Sequence, residues 1–258
     1  MPKFLSNDLI ADVAPLPGTF DFDGARADLI ASRLSFAIKS IATRSSAILF
    51  LHYEYLANAL HTTKDSRSVR NTFKFLKDNG YIEVRYVPLI YTSKMNIVRL
   101  TEEGQTLALS LGYQAVPNDW NTISSSRKNP DDEYIGQVLQ IAYQCQLREI
   151  PVKIAPWIAS DNPPDLLVGD EHRWVYASGS QTLNRKALSM LSNSAKEAGG
   201  HPLGFVSKRE SYRNKMSDSC NVLGISANFS DLEALIKDTK ASENKTDYER
   251  GPLWLIEH

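Results

Sequence analysis

Residues 66–80, SRSVRNTFKFLKDNG, constrain the fold more than any other stretch of the chain. At about 100° per residue, Val69, Thr72, Phe73 and Leu76 fall within one helical sector, and Arg67, Arg70, Asn71 and Lys74 fill a sector roughly opposite. Such a helix must bury one stripe and leave a basic one in water. Ser66 can cap its start and Gly80 can end it. YIEVRYV (81–87) follows at once, β-branched and aromatic, so the period switches from helix to strand. A loop and a second strand, IVRLT (97–101), complete a β-hairpin. Thr101 can then cap a last helix, whose Glu102 and Glu103 suit the positive end of the helix dipole.

Upstream, Ile30, Leu34, Ile38 and Ile41 recur at helical spacing between Ala25 and Thr43. A short apolar run, Ala47–Leu51, precedes a second helical pattern carrying Tyr53, Leu56 and Leu60, and the polar HTTKDS (61–66) supplies a turn. The order is therefore helix, short strand, helix, helix, hairpin, helix. With YLANAL (55–60), SRSVRNTFKFLKDNGYIEVR (66–85) and IVRLTEEGQTLA (97–108), it resembles a winged helix-turn-helix. The resemblance implies that residues 66–79 form a recognition helix lying in the major groove of duplex DNA. Arg67 and Arg70 would reach guanine O6 and N7, and Asn71 would pair with adenine. Ser68 belongs to the same surface, and Lys74 and Lys77 would meet phosphates. The loop LIYTSKMN (89–96) would be the wing, with Lys94 at its tip and Arg85 and Arg99 on its strands.

Net charge is −1, which does not suggest a polyanion-binding protein. The distribution does. Residues 61–100 hold eight Lys/Arg against three Asp/Glu, whereas residues 131–258 hold fourteen against eighteen. Counterion release depends on the charge of the docking face, so a basic island suffices.

The chain divides by composition into an irregular Pro/Gly-bearing arm (1–24), the domain just described (25–112), a Ser/Asn/Pro-rich linker (113–131) and a second domain (132–258). In the second domain, Ile135, Val138, Leu139 and Ala142 stripe a helix over Asp132–Glu149. Apolar runs at 152–158, 164–168 and 173–178 read as strands, with GDEH (169–172) a turn. A helix over Asn184–Ala198 ends at Gly199 and Gly200. A strand (203–206), a basic helix (208–218), a strand near 222–227, a short helix capped by Ser230 or Asp231 and an edge segment PLWLI (252–256) complete it. Pro164-Asp165-Leu166-Leu167-Val168 followed by WVYASGS (174–180), within this order, resembles the core of the PD-(D/E)xK nuclease superfamily. That family's acid on the first of these strands matches Asp165. Its second acid and lysine fall on Ser178 and Ser180, which cannot hold a hard cation. Lys186 or Lys153 would be the migrated lysine of an active form, while Asp170 and Glu171 sit in the turn. The resemblance therefore implies a platform without catalytic residues, metal or cofactor, in which Asp165 is the surviving acid.

The expected fold class is α+β: an N-terminal winged helix-turn-helix followed by an α/β restriction-endonuclease-like domain. The chain has no phosphate-cradling glycine loop, no GxSxG and no HExxH. Cys145 and Cys220 show no CxxC spacing, and the five histidines are scattered and read as surface or capping residues. No run approaches the ~18 apolar residues of a membrane span. The expectation is a cytoplasmic protein without membrane contact. The whole layout, with PDLLVGDEHRWVY (164–176) and HPLGFVSKRES (201–211), resembles replication-relaxation type proteins of bacterial plasmids and integrative elements. It implies a non-enzymatic, site-specific double-stranded DNA-binding accessory protein acting in origin recognition, mobilisation (conjugative transfer) or replication control. Its partners would be a relaxase, recombinase or replication protein, or a second copy in a homodimer. An endonuclease with a migrated site and a winged-helix repressor stand as alternatives.

Overall fold

The computed structural model describes residues 26–87, 95–126, 130–178, 182–242 and 250–257. The arm at 1–24, Lys94 and Ser180 lie outside the described residues. The protein is mixed α+β, with N-terminal helices and a β-hairpin, then a five-stranded mixed sheet with interleaved helices. Contacts divide the chain into two units, one comprising residues 1–86 and 95–121, the other 87–94 and 122–258.

In the first unit, α1 (Ala27–Thr43), α2 (Leu49–Ala59) and α3 (Arg67–Asp78) precede β1 (Ile82–Val87), β2 (Met95–Leu100) and α4 (Glu102–Ser110). Helical periodicity places Leu34, Ile38 and Ile41 of α1, Leu56 of α2 and Val69, Phe73 and Leu76 of α3 in one core. Ile30, on the same stripe of α1, stays 39% exposed. The apolar run at 47–51 is divided: Ile48 makes an isolated antiparallel bridge to Ile97, and Leu49 already begins α2. α4 approaches the hairpin so closely that a methyl group on Gly104 would collide with the Tyr81 carbonyl.

The stretch read as a linker is not one throughout. Val116 N–H donates to Ala42 O (2.8 Å) and Asp119 N–H to Ser45 O (2.8 Å), which straps residues 113–121 onto the C-terminal end of α1. Asn118 reaches Val98 O (3.2 Å), and Trp120, 1% exposed, is sealed in. A helix, α5 (Asp119–Ser126), begins there.

The second unit runs α6 (Asp132–Leu147), β3 (Val152–Ile154), β4 (Leu166–Val168), β5 (Arg173–Ala177), α7 (Arg185–Glu197), β6 (Leu203–Ser207), α8 (Glu210–Leu223), β7 (Asn228–Asp231) and α9 (Leu232–Ser242). Strand order is β3-β4-β5-β6-β7; the first two pairings are antiparallel and the last two parallel. β6 and β7 are buried at every position, as strands covered on both faces must be. Trp174, Tyr176, Phe205 and Phe229 pack with Leu188 of α7 and with Met216 and Cys220 of α8. The strand expected near 222–227 lies further on, because α8 continues to Leu223 and stops on Gly224 in the left-handed conformation (φ +64). Asp231, rather than Ser230, caps α9, accepting from Ala234 N–H (2.8 Å). The segment at 252–256 closes the outer edge of β7 through paired Phe229–Ile256 backbone bonds, and Trp254 covers Gly204, where no side chain would fit.

Candidate nucleic-acid interface

α3 is built to be held from one side. Ser66 accepts from Val69 N–H and caps it, and its buried residues are Val69, Thr72, Phe73 and Leu76. Thr72 returns its hydroxyl to Ser68 O (2.8 Å), so no polar group on the inner face is wasted. Tyr53 of α2 packs on Phe73 with ring centroids 4.7 Å apart. On the outer face Arg67, Arg70, Asn71, Lys74 and Lys77 are exposed and Ser68 is half-buried. Arg70 bonds Asp65 (2.8 Å), the residue before the cap.

The hairpin arginines differ from each other. Arg99 sends Nε and Nη2 to one oxygen of Glu83 (2.8 and 2.6 Å) and Nη1 to Asn121 (3.0 Å), and its guanidinium lies 4.4 Å from the Trp120 ring. Arg85 is exposed, 3.9 Å from Glu83 and 5.0 Å from the same ring. Trp120 thus carries two cations and Glu83 sits between them. Reading 113–131 by polar composition misses this; the signal was the lone tryptophan in a polar stretch.

A second feature of this unit is buried. His52 on α2, 1% exposed, meets Ser40 Oγ through Nδ1 (2.7 Å) and Ser46 O through Nε2 (2.8 Å). Burial lowers its pKa to about 4, against the Ser46 carbonyl, which raises it. It is neutral, with Nε2–H donating, and not the surface or capping histidine expected from the sequence. Burial pushes the Asp119 carboxyl up to about 7.

No family model, no curated protein and no solved structure matches the chain.

In the second unit, Asp165 directly precedes β4 and is 3% exposed. One carboxylate oxygen accepts from Tyr134 Oη–H of α6 and the other from Ala177 N–H (2.7 Å). Both oxygens are therefore engaged in joining α6, β4 and β5. Ser178 follows β5, with its hydroxyl buried and unpartnered among the described residues. Lys153 and Lys186 are exposed, as are Asp170 and Glu171 in the turn. No group of three or more His, Cys, Asp or Glu among the described residues could hold a metal. Burial pushes the Cys145 thiol up to about 12 and that of Cys220 to about 11, so neither is a thiolate nucleophile at neutral pH. The basic segment 208–216 is half neutralised: Lys208 pairs with Glu133 (2.8 Å), and Arg213 with Asp231 (2.7 Å) and Glu210 (3.1 Å), leaving Arg209 and Lys215 exposed. Among the described residues no helix is long and apolar enough to cross a membrane.

Proposed function

We propose that the protein binds double-stranded DNA site-specifically, using α3 as the recognition helix of a winged helix-turn-helix. The observation that carries this reading is the division of α3 into a buried apolar stripe and an exposed face of Arg67, Arg70, Asn71, Lys74 and Lys77. An α-helix matches the width of the major groove, and these side chains are the ones that pair with guanine, adenine and phosphate. The hairpin places Arg85 on the same unit.

The second unit supports a restriction-endonuclease-like platform that does not cleave. Its sheet order and mixed pairing fit that core, while the carboxylate of Asp165 is spent on Tyr134 and Ala177. Together they favour an accessory protein of a bacterial plasmid or integrative element, acting at an origin of replication or transfer with a relaxase, recombinase or replication protein.

The test is equilibrium binding to duplexes selected from a randomised pool. Arg70→Ala or Asn71→Ala should lose about 1–3 kcal/mol on the selected site and relax preference at one base pair. Lys74→Ala should weaken all sequences alike and lower the salt slope by about one. Wild-type protein that selects no sequence and shows no salt-dependent binding ends this reading.

A further inference from the structure

The ion pair between Asp65 and Arg70 stands in an unexpected place. An acid at the mouth of a basic helix repels the phosphates that the helix would approach. Both side chains are largely exposed, at 73% and 62%, so the pair adds little to the fold. Its geometry is nevertheless fixed at both ends. Ser66 N–H donates to Thr63 O (2.9 Å), closing a turn around Asp65, and Arg70 N–H donates to Ser66 O (3.1 Å) in the first turn of α3.

The donor count is what gives the pair a use. Arg70 spends one Nη2 hydrogen on Asp65 Oδ1, its single side-chain hydrogen bond among the described residues. A guanidinium has five N–H donors in a planar fork, so four remain. The second Nη2 hydrogen and one on Nη1 form the parallel pair that guanine O6 and N7 accept. Asp65 Oδ2 is left as an acceptor beside that fork. The groove edges that offer it a hydrogen are the amino groups of cytosine N4 and adenine N6, and a guanine edge there presents only acceptors.

We propose that Asp65 and Arg70 act as one reading unit: Asp65 orients the Arg70 fork on a guanine and itself selects an amino-bearing base at the adjoining pair. Asp65 is thus a specificity-determining residue. Its charge also keeps the uncapped amides at the α3 N-terminus from seizing phosphate on random DNA, the default partner of such a terminus. The inference rests on α3 being the groove helix.

The experiment is selection from a randomised duplex pool followed by sequencing, run in parallel on wild type, Asp65→Ala, Asp65→Asn and Arg70→Ala, with affinity for an unselected duplex measured beside it. Asp65→Ala should lose discrimination at two adjoining pairs, by about fivefold or more at each, while its affinity for the unselected duplex rises. Asp65→Asn should keep much of the guanine preference, because its carbonyl still holds Arg70, but lose the preference for cytosine or adenine next to it. Arg70→Ala should lose the guanine alone. An Asp65→Ala profile identical to wild type overturns the proposal and leaves the docking reading intact. Wild-type protein that selects nothing removes both. The exposed position of Asp65 makes a folding defect detectable as a changed melting curve, and a drop in melting temperature with an unchanged base profile likewise overturns the proposal.

Discussion

At the scale of single residues, the same side-chain chemistry has opposite uses in this protein. Arg99 and Arg85 are both hairpin arginines, yet Arg99 gives three hydrogen bonds to Glu83 and Asn121 and is one-third exposed, whereas Arg85 is exposed and lies 3.9 Å from Glu83. Arg99→Ala should therefore lower stability by about 1 kcal/mol and leave the salt slope of DNA binding nearly unchanged. Arg85→Ala should keep the melting curve and reduce the slope by about one. Denaturant melts and salt titrations of the two variants distinguish them, and an Arg99→Ala protein of wild-type stability with a reduced slope would reverse the assignment. His52 gives a second prediction, in pH. Above pH 6.5 the imidazole is neutral in the folded and the unfolded chain, and its bonds to Ser40 and Ser46 contribute in full. Between 6.5 and about 4 only the unfolded chain takes up the proton, so stability falls as pH drops, by about 3 kcal/mol over that window. The proton NMR signal of the His52 ring should stay in its neutral position down to roughly pH 5; a midpoint near 6.5 would contradict the buried, paired geometry. Helical spacing puts His52 on the inward stripe of α2 with Leu49, Leu56 and Ala59, but its two partners, on α1 and in the loop that follows it, were not legible locally.

At the scale of elements, the parts legible in the sequence are those governed by local period and caps. The inward and outward faces of α3 follow from spacing alone, and the caps Ser66 and Thr101 from residue type at the start of each period; Asn184, read as the first residue of its helix, is instead its cap. Elements whose limits depend on distant contacts were not legible. Residues 113–121 have a linker's composition, yet their backbone is bonded to Ala42 of α1 and to Ser45, the Asn118 side chain reaches Val98 of β2, and Trp120 is shielded by arginines that come from elsewhere in the chain. α8 runs past the expected strand start because Val222 and Leu223, apolar enough for a strand, are solvent-exposed on the last turn of a helix. α4 packs directly against the entry to β1 at Gly104. Gly104→Ala would normally favour a helix, but here the methyl meets a backbone carbonyl that cannot rotate away. The expected result is a loss of stability of about 3 kcal/mol, near the upper end for overpacking, read from urea unfolding. A variant as stable as wild type would mean that α4 and the hairpin are less tightly joined than described.

At the scale of the whole molecule, the two units make separable predictions. If the second unit is a platform, Asp165→Asn should leave DNA affinity intact and abolish no cleavage, since there is none to abolish. It should still cost about 1–3 kcal/mol, because an amide cannot accept from both Tyr134 and Ala177 with two oxygens. A supercoiled-plasmid nicking assay with Mn²⁺, wild type beside the variant, checks it. Nicking by the wild type that disappears in Asp165→Asn would make the second unit an enzyme. The closing of β7 by residues 252–256, and of Gly204 by Trp254, bears on how the protein is made. Every internal bond described for the first unit is in place by residue 121, so that unit can fold while the ribosome is still building the rest. The second cannot complete its sheet until Ile256 has left the ribosome. For the time taken to synthesise residues 232–256, nascent chains carry an unpaired β7 edge, the kind of surface on which chains aggregate and which chaperones bind.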